Sequence, residues 1–283
     1  MDFKALIKQA QADKEKDQSG NSLFCCVLGP SGAGKSHVIG TLGVKTLFLH
    51  FVGEAHGVKS SVKEGGENIV PVCLDYVDGK MLEPDQVLAR LRDILSAPQD
   101  IKAAGFKAIV LDGLTELDMA VSESKELKKM CLTAAGKVDG FKTTPATKQI
   151  MSGIINTFQT VRATIGCHFI TTCILTVKEY DDEKAILECS PQLGTFGLAE
   201  SVLQKFGDRV VVSPLKRVNP KTGEDEEVHV FDSRVTASRS SKDQNGNVKK
   251  TINFNSRIES GNLPSLMKAD LSDLLKVKAG GEG

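Results

Sequence analysis

Residues 23–29, LFCCVLG, form an unbroken apolar run. A strand buried on both faces reads this way, because helices cover both sides of a parallel sheet. The same pattern recurs at 46–52 (TLFLHFV), 69–74 (IVPVCL), 106–111 (FKAIVL, ending at Asp112) and 167–177 (CHFITTCILTV). Between these runs the period lengthens. KSHVIGTLG reads as a short helix closed by Gly43, and 84–97 begins with Pro84 and carries Val87, Leu88, Leu91, Ile94 and Leu95 at helical spacing. Residues 116–135 read as a charged helix, 136–145 as a polar loop and 147–165 as another helix. At the start, residues 2–18 put Phe3, Leu6, Ile7 and Ala10 on one face of a short helical arm, which could pack on its own domain or on a neighbouring subunit.

From about residue 209 the pattern changes. DRVVVSPLKRV, NPKTGEDEE and VHVFDSRVTA predict a β-hairpin with a charged turn. Residues 239–250 are polar, and LPSLMKADLSDLLKV predicts one short helix before the AGGEG tail. Strand–helix alternation up to residue 177 predicts an α/β fold with a mainly parallel sheet flanked by helices, plus a C-terminal β-hairpin extension. The expected division is a helical arm over 1–20, a core over 21–242 that includes the late hairpin, and a polar extension with a short helix over 243–283.

Composition narrows the class without deciding it. The 283 residues carry 36 basic and 36 acidic side chains, so the chain as a whole does not have the basic signature of a nucleic-acid-binding domain. No run approaches the ~20 apolar residues of a membrane span. The polar, mixed-charge N-terminus reads as neither a signal nor a transit peptide, and a cytoplasmic location is expected. The seven cysteines, Cys25, Cys26, Cys73, Cys131, Cys167, Cys173 and Cys189, form no CxxC pair and mostly sit in apolar runs, so reduced buried thiols are expected and a zinc site is not.

The strongest chemical signal is GPSGAGKS at 29–36, which follows an apolar strand and opens a helix. It matches the Walker A phosphate-binding loop in full. Gly29, Pro30, Ser31, Gly32, Ala33 and Gly34 would let backbone N–H groups curl around phosphates, aided by the helix N-terminus. Lys35 would reach the β- and γ-phosphates of ATP, and Ser36 would ligate Mg²⁺. AIVLD, ending at Asp112, reads as the Walker B strand, whose carboxylate holds the same ion. Hydrolysis also needs a group to activate water, and two carboxylates compete for that role. Glu54 follows the strand TLFLHFV, and Glu116 lies in DGLTEL. Thr172 and Thr176 are candidate γ-phosphate sensors, or simply strand-filling threonines. His50, His56 and His168 read as structural. Residues 234–257 hold Arg234, Arg239, Lys242, Lys249, Lys250 and Arg257 against Asp243 alone, a local charge of +5. That segment is a solvated loop face, a DNA-phosphate contact, or a contact with nucleotide on a neighbouring subunit.

The order GPSGAGKS, FVGEAH, IVLDGLTEL, FITTCILT, SPQLG, FGDRVV and then a basic hairpin resembles the phage RecA-like P-loop ATPases, which include the Sak-type single-strand annealing ATPases, over roughly residues 22–242. The resemblance implies a RecA-type core and ATP hydrolysis coupled to single-stranded DNA in recombination, by annealing or strand pairing. It also implies a homo-oligomer, ring or filament, with ATP at the subunit interface, and contact with other recombination proteins. It makes Glu54 the catalytic base, and it makes Arg234 and Arg239, with Lys242 a third candidate, the residues that reach a neighbour's ATP. It places DNA-binding loops at about 136–147 and 179–200, of which the second is not basic. RecA carries a glutamine on its sensor strand where this sequence has threonines. The alternative is an ATPase switch or loader acting on protein partners in replication or packaging. A small-molecule kinase would share the loop but lacks an arginine-rich lid here.

Overall fold

The computed structural model describes residues 22–180, 186–194, 196–232, 236–242, 248–255 and 266–278. The predicted N-terminal arm lies outside them. The strands are β1 (Phe24–Gly29), β2 (Thr46–His50), β3 (Ile69–Cys73), the short pair β4 (Tyr76–Val77) and β5 (Lys80–Met81), β6 (Ala108–Asp112), β7 (His168–Tyr180), β8 (Ile186–Pro191), β9 (Asp208–Val218), β10 (Asp225–Asp232), β11 (Thr236–Lys242), β12 (Val248–Asn255) and β13 (Leu266–Lys268). The helices are α1 (Lys35–Gly40), α2 (Ala55–Gly65), α3 (Pro84–Leu95), α4 (Pro98–Ala103), α5 (Leu114–Glu123), α6 (Lys125–Met130), α7 (Gly140–Ile165), α8 (Phe196–Leu203) and α9 (Leu271–Lys278).

The main sheet runs β13-β10-β9-β1-β7-β6-β2-β3. From β9 to β3 every neighbouring pair is parallel, and β10 and β13 add an antiparallel edge. The chain is thus an α/β protein with a mostly parallel sheet covered by helices. The continuous apolar runs have a direct cause. On β1, Phe24, Cys26 and Leu28 enter one core beneath α3, α5 and α7, while Cys25 and Val27, with Leu23 just before the strand, enter a second core with α1 and α9. Phe24 stacks on Phe206 and Phe158 on Phe169, filling the first of these layers. The second is closed by Lys278 of α9, which reaches Asp208 at 2.8 Å in a fully buried pair.

Several elements depart from the sequence reading. The late hairpin extends the main sheet itself, because β9 pairs with β1 and β10 with β9. A separate hairpin, β11 with β12, occupies part of the segment read as polar loop. The charged helix divides at Ser124, whose hydroxyl caps α6 by accepting from the Leu127 N–H at 3.0 Å. Helix α7 starts at Gly140, capped by Asp139, and carries Pro145 inside its second turn. The tail forms strand β13 before helix α9 begins. Helix α2, which the apolar pattern did not predict, buries only Val58 and Ser61. Among the described residues no helix is long and apolar enough to cross a membrane.

Candidate functional site

Parallel strands bring their carboxyl ends to one edge of a sheet, and ligand crevices of open α/β sheets lie there. Register does this here. His50 of β2 faces Asp112 of β6, Leu111 faces Thr171 of β7, and Gly29 of β1 faces Ile174. The segments that leave these ends enclose a cleft of about 380 Å³ lined by Gly34, Lys35, Ser36, Glu54, Gly57, Asp112, Glu116 and Thr172, among others.

The loop 29–36 turns tightly. The Ala33 N–H donates to the Pro30 carbonyl at 3.2 Å, and Gly32 and Gly34 take φ of +78° and +85°, where a side chain is strained. Lys35 Nζ donates to the Gly29 and Pro30 carbonyls at 3.0 and 2.8 Å. Burial lowers its pKa, opposed by the negative charges of Asp112, Glu54 and Glu116. Helix α1 has six residues, so its dipole is small and the positive charge in the cleft comes from Lys35.

Asp112 is buried and fully engaged. Its Oδ2 accepts from Ser36 Oγ at 2.9 Å, and its Oδ1 accepts from Thr172 Oγ1. Burial raises its carboxyl above the usual range, and the Thr172 bond works against that shift. Two adjacent oxygen donors, Ser36 Oγ and Asp112 Oδ2, suit a hard divalent cation whose other ligands are phosphate and water. Gly113 follows, and a Cβ there would lie 2.8 Å from both Glu116 Oε2 and Thr172 Oγ1. A side chain at 113 would therefore press on the Glu116 carboxyl and on the Thr172 hydroxyl that holds Asp112.

Glu54 ends a single 3-10 turn, Val52–Glu54, after β2. That exit is fixed by the Val52 N–H on Asp75 Oδ1 at 2.7 Å and by a His50 Nδ1 contact with the Phe51 carbonyl. Burial is the main cause of a raised Glu54 pKa; the Glu116 charge and a hydrogen bond shared with Glu116 add to it. The two carboxylates left open by the sequence thus face each other across the cleft. Helix α2 is clamped to α1 by Ser61 Oγ, which donates to the Ser36 and Gly57 carbonyls. A Cβ on Gly57 would come within 2.5 Å of Ser36 Oγ. No sequence motif marked Gly57, Gly113 or Ser61, because their roles depend on contacts between segments.

Of the other candidates, Thr172 enters the site, while Thr176 is exposed where β7 pairs with β8 at Ser190. His56 lines the cleft. His168 Nδ1 accepts the Leu23 N–H at 3.1 Å, and burial lowers its pKa to about 4, a structural role. All seven cysteines are free thiols, and burial pushes Cys173, beside the cleft, up to about 12. Arg239 and Lys242 fall on β11, and Arg234 lies outside the described residues. Of the segments expected to be DNA-binding loops, 136–147 is a short turn running into α7, and it presents Phe141 at 96% exposure. Segment 179–200 contains β8 and α8. No family model matches the sequence, and no curated protein is similar enough to it to count as a match.

Proposed function

We propose that this chain is a Mg²⁺-dependent, RecA-like P-loop ATPase that acts on single-stranded DNA as a homo-oligomer. One observation carries the reading: Lys35, the Ser36–Asp112 pair, Thr172 and the facing carboxyls of Glu54 and Glu116 converge in one cleft beside a glycine-rich loop. Backbone N–H groups of residues 29–36 would cradle the triphosphate, and Lys35 would turn from the Gly29 and Pro30 carbonyls to the β- and γ-phosphates. Ser36 and Asp112 would hold Mg²⁺, which when bound offsets charge on the transferring phosphoryl group. Glu54 accepts a proton from the water that attacks the γ-phosphorus; the bond to the β,γ-bridging oxygen breaks, releasing ADP and phosphate. Glu116 holds Glu54 in position. Thr172 fixes the Asp112 carboxylate, so that a polar residue on β7 ties the metal ligand to the strand that continues into β8.

The DNA part rests on a different surface. Leu132, Val138 and Phe141 are exposed together at the start of α7, and Leu132 and Val138 form an isolated β-bridge. Around them residues 125–148 carry six lysines against Glu126 and Asp139, a net charge of +4 in a neutral chain. An exposed aromatic ring among lysines suits stacking on bases with phosphates alongside. The same apolar group and the zero net charge also fit the second reading, a switch or loader that docks on a protein. The basic segment 234–257 supports a contact with a neighbouring subunit's nucleotide.

The test is ATP turnover by the purified protein with and without single-stranded DNA, using Lys35→Ala as the blank. The expected result is Mg²⁺-dependent turnover that DNA stimulates, lost in Lys35→Ala, with a stimulation that weakens at high salt. Turnover that ignores DNA, with no DNA binding in ATP or a non-hydrolysable analogue, would move the reading to protein partners. No turnover under any condition would reject the ATPase.

A further inference from the structure

The β9–β10 hairpin touches the glycine-rich loop at both of its ends. A Cβ on Gly29 would lie 2.7 Å from the Val212 carbonyl oxygen of β9. A Cβ on Gly34 would lie 2.7 Å from Cε1 and Nδ1 of His229 on β10, and 2.9 Å from its Cγ. Three ring atoms at nearly equal distance mean that the imidazole lies flat against the loop backbone. We propose that His229 is a positioning residue for the phosphate-binding loop, a rigid plate on β10 that holds Gly34 in its left-handed conformation and the loop in its anion-binding shape. This rests on the nucleotide-binding reading above.

Three further observations support a role through packing. First, β10 is anchored on both sides, by β9 with Pro214 opposite His229, and by β13 with Lys268 opposite Val230. The His229 carbonyl also accepts the Ala269 N–H at 3.0 Å, and Val230 and Phe231 beside it are buried. Second, His229 Nδ1 is buried with no aligned hydrogen-bond partner, and the hydrogen-bonding group that bears on the ring is the Ala33 backbone, itself part of the loop. Burial and the neighbouring His37 ring, 5.9 Å away, hold the imidazole on the neutral side of ordinary histidine, against Glu227 and the Ala33 carbonyl. Third, Gly34 has φ +85°, a conformation with little intrinsic rigidity in glycine, so a surface against it adds to the restraint from the Val38 N–H bond to its carbonyl. The hairpin tip projects away with exposed Lys216, Arg217 and Lys221, so a partner that engages the tip would reach the loop through the same strand.

The experiment measures binding of magnesium-ATP and of a non-hydrolysable analogue, together with kcat and KM, for wild type, His229→Ala and His229→Phe, with thermal melts as the folding control. His229→Ala removes the plate. It is expected to weaken nucleotide binding about tenfold, with kcat at saturating ATP changed by less than about twofold, the split that marks uniform binding loss. His229→Phe restores a flat ring without nitrogen and is expected to bind within about twofold of wild type. Adding Gly34→Ala to His229→Ala is expected to cost at least about fivefold less in affinity than adding it to wild type, because the new methyl enters the vacated space. A folded His229→Ala protein that binds like wild type would overturn the proposal. So would His229→Phe failing as badly as His229→Ala, or additivity in the Gly34 cycle. Absence of nucleotide binding in the wild type would instead reject the site itself, and this inference with it.

Discussion

Gly57→Ala is the substitution on which helix propensity and site geometry disagree most. Gly57 is the third residue of α2, and alanine there should favour the helix by up to ~1 kcal/mol. A Cβ at that position would lie 2.5 Å from Ser36 Oγ, 2.8 Å from Ser36 Cβ and 3.5 Å from Asp112 Oδ2. The hydroxyl can rotate away, but the Ser36 Cβ is one bond from the backbone of α1. A carbon–carbon approach of 2.8 Å must open towards the ordinary ~3.5–4.0 Å, so one helix moves against the other. Overfilling a close-packed position costs ~1–3 kcal/mol. Set against the helix gain, the expected loss of stability is ~0–3 kcal/mol, below the ~5–15 kcal/mol of a typical folded domain.

The functional effect should be much larger. Rotation takes Ser36 Oγ off Asp112 Oδ2, now 2.9 Å away, and helix movement strains the Ser61 clamp on the Ser36 carbonyl. Misplacing a ligating oxygen by ~1 Å can lower a rate about 10²-fold. The assay is kcat and the Mg²⁺ concentration for half-maximal turnover, with the urea midpoint as control. Gly53→Ala is the matched comparison, since Gly53 also lines the cleft and a Cβ there meets nothing within 4 Å. Gly57→Ala is expected to need more Mg²⁺ and to turn over about 100 times more slowly, while Gly53→Ala stays near wild type. Full activity and unchanged Mg²⁺ dependence in Gly57→Ala would refute the placement of Ser36 as a metal ligand.

Two other predictions use the titratable groups. A base must be ionised to act, and in the free protein Glu54 is held above its ordinary pKa by burial first and by Glu116 second, so the acidic limb of the kcat/KM–pH profile is expected above the usual glutamate range. Glu116→Gln removes the like charge, and the limb should move to lower pH; an unmoved limb would separate the two carboxyls. His168 has a folded pKa of about 4, below the ordinary histidine value of 6.5, because burial excludes its charged form while Nδ1 accepts the Leu23 N–H. The unfolded chain then binds the extra proton, so this contribution is fully present above pH 6.5 and is lost as pH falls towards 4. Urea unfolding at pH 7 and pH 4.5 should show a loss of up to about 3 kcal/mol from this group, absent in His168→Asn. An equal acid loss in the variant would assign the effect elsewhere.

Which parts of this molecule could be read in one dimension follows from how each is specified. The strands β1, β2, β6 and β7 are buried on both faces, so their signal is local and continuous, and the runs beginning at 23, 46, 106 and 167 locate them. Lys35, Ser36 and Asp112 belong to motifs whose spacing is set by a turn and a strand end, so they too are local. Helix α2 is held differently. It has one buried aliphatic residue, and it packs on α1 through absent side chains, since a Cβ on Gly40 would lie 2.6 Å from the Ser61 carbonyl and one on Gly65 2.9 Å from the Gly40 carbonyl. An interface built from glycine leaves no apolar period to detect. The sequence pattern predicts a polar loop up to Pro145 and a helix from 147, whereas α7 already begins at Gly140 and takes Pro145 into it. The proline falls in the second turn, where Asp139 has already satisfied an early donor and one lost backbone bond is tolerated. Strand β13 shares the apolar spacing of the helix after it, and its pairing with β10 overrides that spacing.

The choice between Glu54 and Glu116 is the most instructive of these cases, because the sequence posed it as a competition. Each glutamate follows the carboxyl end of a strand, and β2 and β6 are neighbours with His50 opposite Asp112. Any acid carried a few residues beyond either end therefore arrives in the same crevice. Gly113, which precedes α5, leaves open the space beside Glu116 Oε2 and Thr172 Oγ1, where a Cβ would lie 2.8 Å from each. The Glu116 charge then adds to burial in raising the Glu54 carboxyl above its ordinary range. A base and its regulator, rather than two rival bases, is the arrangement this geometry favours.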